Sequence, residues 1–327
     1  NTLVEDVLES MLTYDYLARP VKLVPNTLAA MPEIRDNGAT YVFRIKPGIH
    51  YQPHPAFARD KNGKFLYQDL KREDLKDIYT LSDFKEQGTR ELNAKDYVYQ
   101  IKRLAHPRLH SPIFGLMSEY IIGLKQYADA LKRADQTLLA KEGKDAWLDL
   151  TRYSLEGVEA TGRYTYQVKV KGKYPQFVYW LAMSFFAPVP AEVDRFYSQP
   201  GMAEKNLTLD WYPVGTGPYM LTENNPNSRM VLEFNPNFHG ETYPASGESG
   251  DAKAGLLKDV GKPLPFIDKA VFSREKESIP YWNKFLQGYY DASGISSDSY
   301  DQAVQVGAQG EAVLIEAIRE KGINLET

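Results

Sequence analysis

The stretch PVGTGPYML, residues 213–221, places two glycines and two prolines within nine residues, immediately before alternating apolar positions. Glycine allows positive φ angles and close approach of other backbone, and the second proline stands where the missing N–H of a first strand residue is tolerated. Residues 219–223 and 230–234 read as strands, and the Asn-Asn-Pro-Asn of residues 224–227 between them is typical of a turn. The sequence therefore predicts a sharp bend that enters a β-hairpin over residues 218–236.

Strand and helix patterns follow one another along the rest of the chain. Residues 40–46 and 164–172 alternate apolar and polar side chains, which is typical of half-buried strands. Asn93 is a candidate helix N-cap, with Asp96 three positions later where a capping acid belongs. Residues 311–321 carry apolar side chains at helical spacing before a glycine and predict a second helix. The mixture indicates an α/β protein.

Two charge-rich stretches favour loops or insertions over core. Residues 58–92 are dense in charge with weak periodicity, and residues 245–263 are rich in Gly, Ser, Asp and Lys.

Length and composition exclude several classes of protein. A chain of 327 residues exceeds what one hydrophobic core normally organises, so two lobes are expected. The formal net charge of −4 offers no basic surface for nucleic acid, and the absence of cysteine excludes disulfides, thiolate nucleophiles and zinc–thiolate sites. No apolar run is long enough to span a membrane, and the first residues do not resemble a signal peptide.

Candidate catalytic and metal sites are weak. His50 and His54 are four residues apart, as are His106 and His110, but prolines surround or interrupt both pairs, so neither fits the regular helix that a metal-binding pair needs. No nucleophile elbow, Walker loop or dinucleotide fingerprint is present, and no pair of carboxylates stands out. We therefore expect no catalytic residue, no metal and no cofactor. Whether the bend approaches a ligand or is a plain turn stays open at this point.

Six segments, taken in order, resemble the extracellular solute-binding proteins of family 5, the oligopeptide- and dipeptide-binding components of ABC importers. They are ESMLTYDYLARPVKLVPNTLA (9–29), TYVFRIKPGIHY (40–51), LNAKDYVYQIKRLAHPRLHSP (92–112), FVYWLAMSFFAPVPAE (177–192), PVGTGPYMLTE with VLEFNPNFHG (213–240), and FIDKAVFSREKESIPYWNKFLQGYYDASGI (266–295).

The resemblance implies a periplasmic binding protein fold of type II, in which two α/β lobes close on a hinge and the first lobe carries an inserted subdomain. Residues 1–8 and 173–275 would belong to lobe I, residues 9–172 to the inserted subdomain and residues 276–327 to the start of lobe II. Family members are longer at both ends, so the chain is expected to be a partial one with an incomplete second lobe and weak affinity when isolated.

The resemblance also implies a site and partners. Peptide-binding relatives carry an aromatic residue after a Ser-Pro pair, where this chain has Ile113 followed by Phe114. Together with Gly215, Thr216, Gly217 and Tyr219 of the bend, these are the expected ligand-binding residues. The expected function is capture of peptides, outside the cytoplasmic membrane, by a monomer that delivers them to a membrane permease, without catalysis or nucleic acid. A carbohydrate-binding protein or glycoside-active enzyme, and a peptide sensor that does not import, are the alternatives.

Overall fold

A computed structural model describes residues 2–326 of the chain. Asn1 and Thr327, the outer ends of the first and last predicted domain ranges, lie outside the described residues. The helices α1 to α9 run over Thr2–Glu5, Ala94–Leu104, Phe114–Tyr120, Leu124–Glu142, Phe177–Trp180, Ala191–Tyr197, Ser278–Leu286, Ser297–Ala303 and Glu316–Arg319. The strands β1 to β13 run over Leu12–Tyr14, Leu23–Pro25, Glu33–Arg35, Thr40–Arg44, Val158–Ala160, Thr165–Lys169, Tyr219–Asn225, Arg229–Phe234, Glu241–Thr242, Pro263–Leu264, Lys269–Ser273, Val304–Val306 and Ala312–Leu314. The fold is mixed α/β, as predicted.

The four-stranded antiparallel sheet β3-β4-β6-β5 carries the two clearest predicted strands. Phe43 of β4 stands opposite Tyr166 of β6, and the two buried rings stack with centroids 4.6 Å apart. Alternation places Tyr166 and Val168 in the core and leaves Lys169 exposed, which confirms the strand predicted within 164–172. Strand β4 is also confirmed, although Val42 is buried as well, so both faces of β4 are covered.

The predicted N-cap of α2 is confirmed in its details. The Asn93 side chain accepts from the Lys95 N–H, and the Asp96 carboxylate accepts from the Asn93 N–H at 3.1 Å, which completes a capping box. Asp96 is buried and also receives two nitrogens of Arg90, at 2.8 and 2.6 Å, which offset the cost of burying its charge. The start of the helix is thus fixed by the cap and by a buried ion pair together.

The predicted hairpin is present with a small shift at its tip. Strands β7 and β8 are neighbours in a three-stranded sheet of order β11-β8-β7. Asn224 and Asn225 belong to β7, so the turn begins at Pro226, where the Ser228 N–H donates to the Asn225 carbonyl at 2.9 Å.

Two sequence predictions are wrong. Residues 311–321 do not form one helix, because residues 312–314 pair antiparallel with 304–306 as β13 and only Glu316–Arg319 is helical. Residues 58–92 lack long helices and strands as expected, but they contribute to the core. Phe84 packs edge-on against Tyr67 and Phe196, with centroids 5.0 and 5.3 Å away.

The chain divides into two compact units, residues 1–224 with 231–270, and residues 225–230 with 271–327. The first unit contains the main core, built around the β4-β6 pair and α2. The second has a small core of its own around Trp282, Ala303 and Leu314. Among the helices of residues 2–326, none combines the length and the apolar character that crossing a bilayer requires.

Candidate functional site

The bend at 213–219 lies mostly buried in the first unit. Val214 and Thr216 are each 1% exposed. A Cβ on Gly215 would stand 2.8 Å from the Val7 carbonyl carbon and nearer still to its oxygen, and a Cβ on Gly217 would stand 2.8 Å from the Asp6 oxygen. Neither glycine has a positive φ, so close approach of the 6–8 backbone is what requires glycine at both positions.

Main-chain hydrogen bonds join the bend to neighbours that are distant in sequence. The Gly217 N–H donates to the Val7 carbonyl at 3.0 Å and the Tyr219 N–H to the Asp6 carbonyl at 3.1 Å. On the other side, the Gln52 N–H donates to the Gly215 carbonyl and the Gly215 N–H donates to Gln52 Oε1, both at 3.0 Å. The bend is therefore held on both sides by backbone pairing.

A polar cluster closes the bend. The Thr216 hydroxyl donates to Glu9 Oε1 at 2.7 Å, and His239 Nε2 lies 2.8 and 2.9 Å from Oε1 and Oε2 of the same carboxylate. Asn235 donates from its side chain to the Gly217 carbonyl at 2.9 Å and from its backbone to the Pro218 carbonyl at 2.8 Å. Glu9 is only 7% exposed, so its carboxylate needs these donors. The cluster anchors residues 235–239 to the bend.

A groove of about 280 Å³ opens beside the bend, within the first unit. Its walls are mostly apolar, and its one ionisable carboxylate is that of Glu241. The lining residues are Pro218, Tyr219, Phe238, Glu241, Leu264, Pro265, Phe266 and Ile267. Tyr219 donates its hydroxyl to the Ile267 carbonyl at 2.7 Å, which ties one wall to the other. Burial and the nearby Asp6 and Asp268 raise the pKa of Tyr219, so its hydroxyl remains a donor.

An aromatic row continues from the groove over the surface of the same unit. Tyr243 stacks on Phe266 with centroids 6.4 Å apart and meets Tyr16 edge-on at 6.2 Å. Phe266 is 55% exposed and Tyr16 is 76% exposed. The ion pair of Arg19 with the buried Asp251 holds the row in place, because it ties the 245–263 stretch to the chain next to Tyr16. Rings this exposed are available to a ligand.

The structure places the six predicted site residues in two different settings. Ile113 is 6% exposed and packs in the core, and Phe114, at the start of α3, is half-buried against that core. Gly215, Thr216 and Gly217 shape the bend from inside, and Tyr219 reaches the groove. The residues that hydrogen-bond with Ile113 and Phe114 differ from those that hydrogen-bond with the bend.

His54, from the first histidine pair, has a structural role. His54 is 1% exposed and its Nε2 lies 2.8 Å from the Tyr197 hydroxyl. Burial lowers the pKa of His54 to about 3, so it is neutral at ordinary pH. Within residues 2–326, no three His, Asp or Glu side chains come together in a way that could hold a metal ion.

Sequence reasoning missed Phe238, Glu241 and Phe266 as groove residues. Phe238 stands in the NPNFHG run and Phe266 opens the FID run, both of which carry the family resemblance. Periodicity gave no signal for these residues, because they lie in short or irregular segments on either side of the charge-rich 245–263 stretch.

Comparison with known proteins gives a family and a fold. The family model of the bacterial extracellular solute-binding proteins, family 5 Middle, matches residues 22–313. No curated protein sequence matches the chain significantly.

Three solved structures illustrate the fold. The pheromone receptor PrgZ, from a study of its structure and mode of peptide binding, is 18% identical with a TM-score of 0.54, over 97% of this chain and 49% of that one. The ABC transporter-associated periplasmic binding protein DppA from Helicobacter pylori, in complex with the peptide STSA, is 15% identical with a TM-score of 0.54. The match covers 91% of this chain and 43% of DppA. Listeria monocytogenes OppA bound to peptide is 14% identical with a TM-score of 0.55, and the match covers 92% of this chain and 43% of OppA. The chain spans less than half the length of these three proteins and shares the periplasmic binding protein fold with them.

Proposed function

The chain belongs to the bacterial extracellular solute-binding proteins of family 5, and we propose that it is the peptide-capturing component of an ABC importer. The family match over residues 22–313 carries the proposal. It favours solute binding over the carbohydrate-active alternatives, and the three structures compared above come from proteins described with peptides.

The physical logic is that of a binder that makes and breaks no bond. A peptide site gains affinity from main-chain hydrogen bonds and from apolar or aromatic pockets, and it needs no activated nucleophile. The exposed aromatic row of Tyr16, Tyr243 and Phe266 fits this use. Gly215, Thr216 and Gly217 take part through the shape they give the bend, and Tyr219 through the groove. Phe114 takes part through a separate surface, with Ile113 packed in the core behind it.

The division into lobe I (1–8 and 173–275), an inserted subdomain (9–172) and the start of lobe II (276–327) is part of the proposal. So are hinge closure over the ligand, a monomeric state, a permease partner and a location in the periplasm or on the outer side of the cytoplasmic membrane. A ligand that prefers the closed state shifts the hinge equilibrium toward it, which gives the permease a form to recognise.

Calorimetric titration of the protein expressed from its complete gene tests the proposal. Pools of dipeptides to hexapeptides should give heat that saturates at micromolar peptide, and maltose and metal chelates should give none. No heat with any peptide, together with binding of a sugar or a chelate, would remove peptide capture. Permease and ATPase genes beside the gene would separate import from sensing.

A further inference from the structure

The groove beside Tyr219 combines an apolar wall with a single carboxylate that has no partner in the part of the chain that the structure describes. Phe266 and Ile267 are 55% and 59% exposed, so a part of the wall that other proteins would bury lies open. Exposed apolar surface next to a concave pocket is the usual sign of a binding site. The apolar lining includes Phe238 and residues 264–267.

Glu241 is the polar element of this groove. Within residues 2–326 its carboxylate has no hydrogen bond and no ion pair, whereas the nearby Glu9 carboxylate is satisfied by Thr216 and His239. The charges of His239 and Lys46 act on Glu241 in the opposite direction to that of Glu9, but His239 is bonded to Glu9 and the Lys46 ammonium donates to the Asn26 carbonyl at 2.6 Å. Partial burial, followed by the negative charge of Glu9, raises the pKa of Glu241.

The position of Glu241 is fixed by backbone pairing. Strand β9, which contains Glu241, pairs with β10 so that Glu241 stands opposite Leu264. Both residues line the groove, so the carboxylate and the apolar wall keep one geometry relative to each other. The lining residues include one carboxylate and no lysine or arginine, so charge complementarity selects a positive group.

We propose that this groove binds a peptide terminus whose apolar or aromatic side chain packs between Phe238 and Phe266 while its ammonium group pairs with Glu241. The peptide class of the ligand rests on the proposed function above. The groove recognises an aromatic ring and an ammonium group together, so the proposal applies to any ligand that carries both groups.

Three small probes separate the two parts of the site. L-phenylalaninamide carries the ring and the ammonium, N-acetyl-L-phenylalaninamide carries the ring alone and glycinamide carries the ammonium alone. In NMR titrations of the whole 327-residue chain, the first should shift the backbone amides of 238, 241 and 264–267. The other two should bind about tenfold more weakly, which is about 1.4 kcal/mol. N-acetyl-L-phenylalaninamide loses the charged hydrogen bond to Glu241, and glycinamide loses the burial of the ring.

Variants assign the roles. Glu241→Gln should give L-phenylalaninamide and its acetylated form the same affinity, and Phe266→Ala should weaken both. Glu119→Gln, at an exposed carboxylate of α3, is the matched control and should leave all three affinities unchanged. The amide spectrum of each variant reports whether it has kept the fold.

Two results overturn the inference: no shift at these amides with any probe, or equal affinity for the acetylated and free probes in the wild-type chain. If peptides give calorimetric heat that Glu241→Gln leaves unchanged, the inference fails and the proposed function stands. If no peptide binds while L-phenylalaninamide still shifts the groove amides through Glu241, the proposed function fails and the site stands.

Discussion

Replacing Gly215 by alanine tests whether close approach of backbone is the reason for glycine in the bend. The new methyl group would stand 2.8 Å from the Val7 carbonyl carbon and 3.0 Å from Leu8 Cδ2, and closer again to the Val7 oxygen. The nearest atom belongs to the main chain, so no side-chain rotation can relieve the overlap. Residues 6–8 and the bend must therefore move apart.

The magnitude follows from what that movement breaks. Overpacking a well-filled interior costs about 1–3 kcal/mol. Separation also lengthens the Gly217 N–H bond to the Val7 carbonyl, now 3.0 Å, and the Tyr219 N–H bond to the Asp6 carbonyl, now 3.1 Å, and each intramolecular hydrogen bond contributes about 1 kcal/mol. With both bonds lost, we expect Gly215→Ala to lower the free energy of unfolding by about 3–5 kcal/mol.

Urea denaturation followed by circular dichroism measures the difference, with Gly115→Ala as the matched control. Gly115 lies in α3, does not have a positive φ and has nothing within 4 Å of a Cβ. The control should therefore be neutral or gain up to about 1 kcal/mol of stability from its helical position. If Gly215→Ala stays within about 0.5 kcal/mol of the wild type, the range of an ordinary surface change, the close-approach argument is refuted.

Three further changes probe the rest of the first unit. The pKa of His54 is 6.5 in the unfolded chain and about 3 in the folded one, so between these pH values the unfolded state binds one more proton. The free energy of unfolding should therefore fall by up to about 1.4 kcal/mol per pH unit as pH falls from 6.5 to 3. Urea titrations across that range should show this slope in the wild type and not in His54→Asn. Asp251→Asn should speed amide hydrogen exchange over residues 245–261 without changing global stability, and unchanged exchange would contradict its role as an anchor. Asp96→Asn removes one of the two carboxylates that pair with the part-buried Arg90, the other being that of Glu192, and should lower the free energy of unfolding by about 1.5–3 kcal/mol in calorimetry; a loss below about 1 kcal/mol would count against the ion pair.

The elements that the sequence predicts correctly are those whose information is local. Alternation alone places Tyr166 and Val168 in the core, and Asn93 with Asp96 marks a helix start within four residues. Residues 312–314 fail the same reasoning because their partners are residues 304–306 in a separate segment. A short apolar run fits a helix face and a strand equally well, and pairing with a second segment decides between them.

The site depends on the same kind of non-local information, and more strongly. The glycines of the bend suggest close approach, but the approaching backbone is that of residues 6–8, and Thr216 reaches Glu9 from 207 positions away. Glu241 is one carboxylate among 43 acidic residues, and what distinguishes it is the lack of any partner within residues 2–326 beside an open apolar wall. A pattern in one sequence records which groups are present, whereas a binding site is defined by which of them the fold leaves unsatisfied. Among residues 2–326 the fold satisfies the buried Glu9 carboxylate with two donors and leaves the exposed Glu241 carboxylate to solvent, so Glu241 is the carboxylate that an incoming cation can pair with.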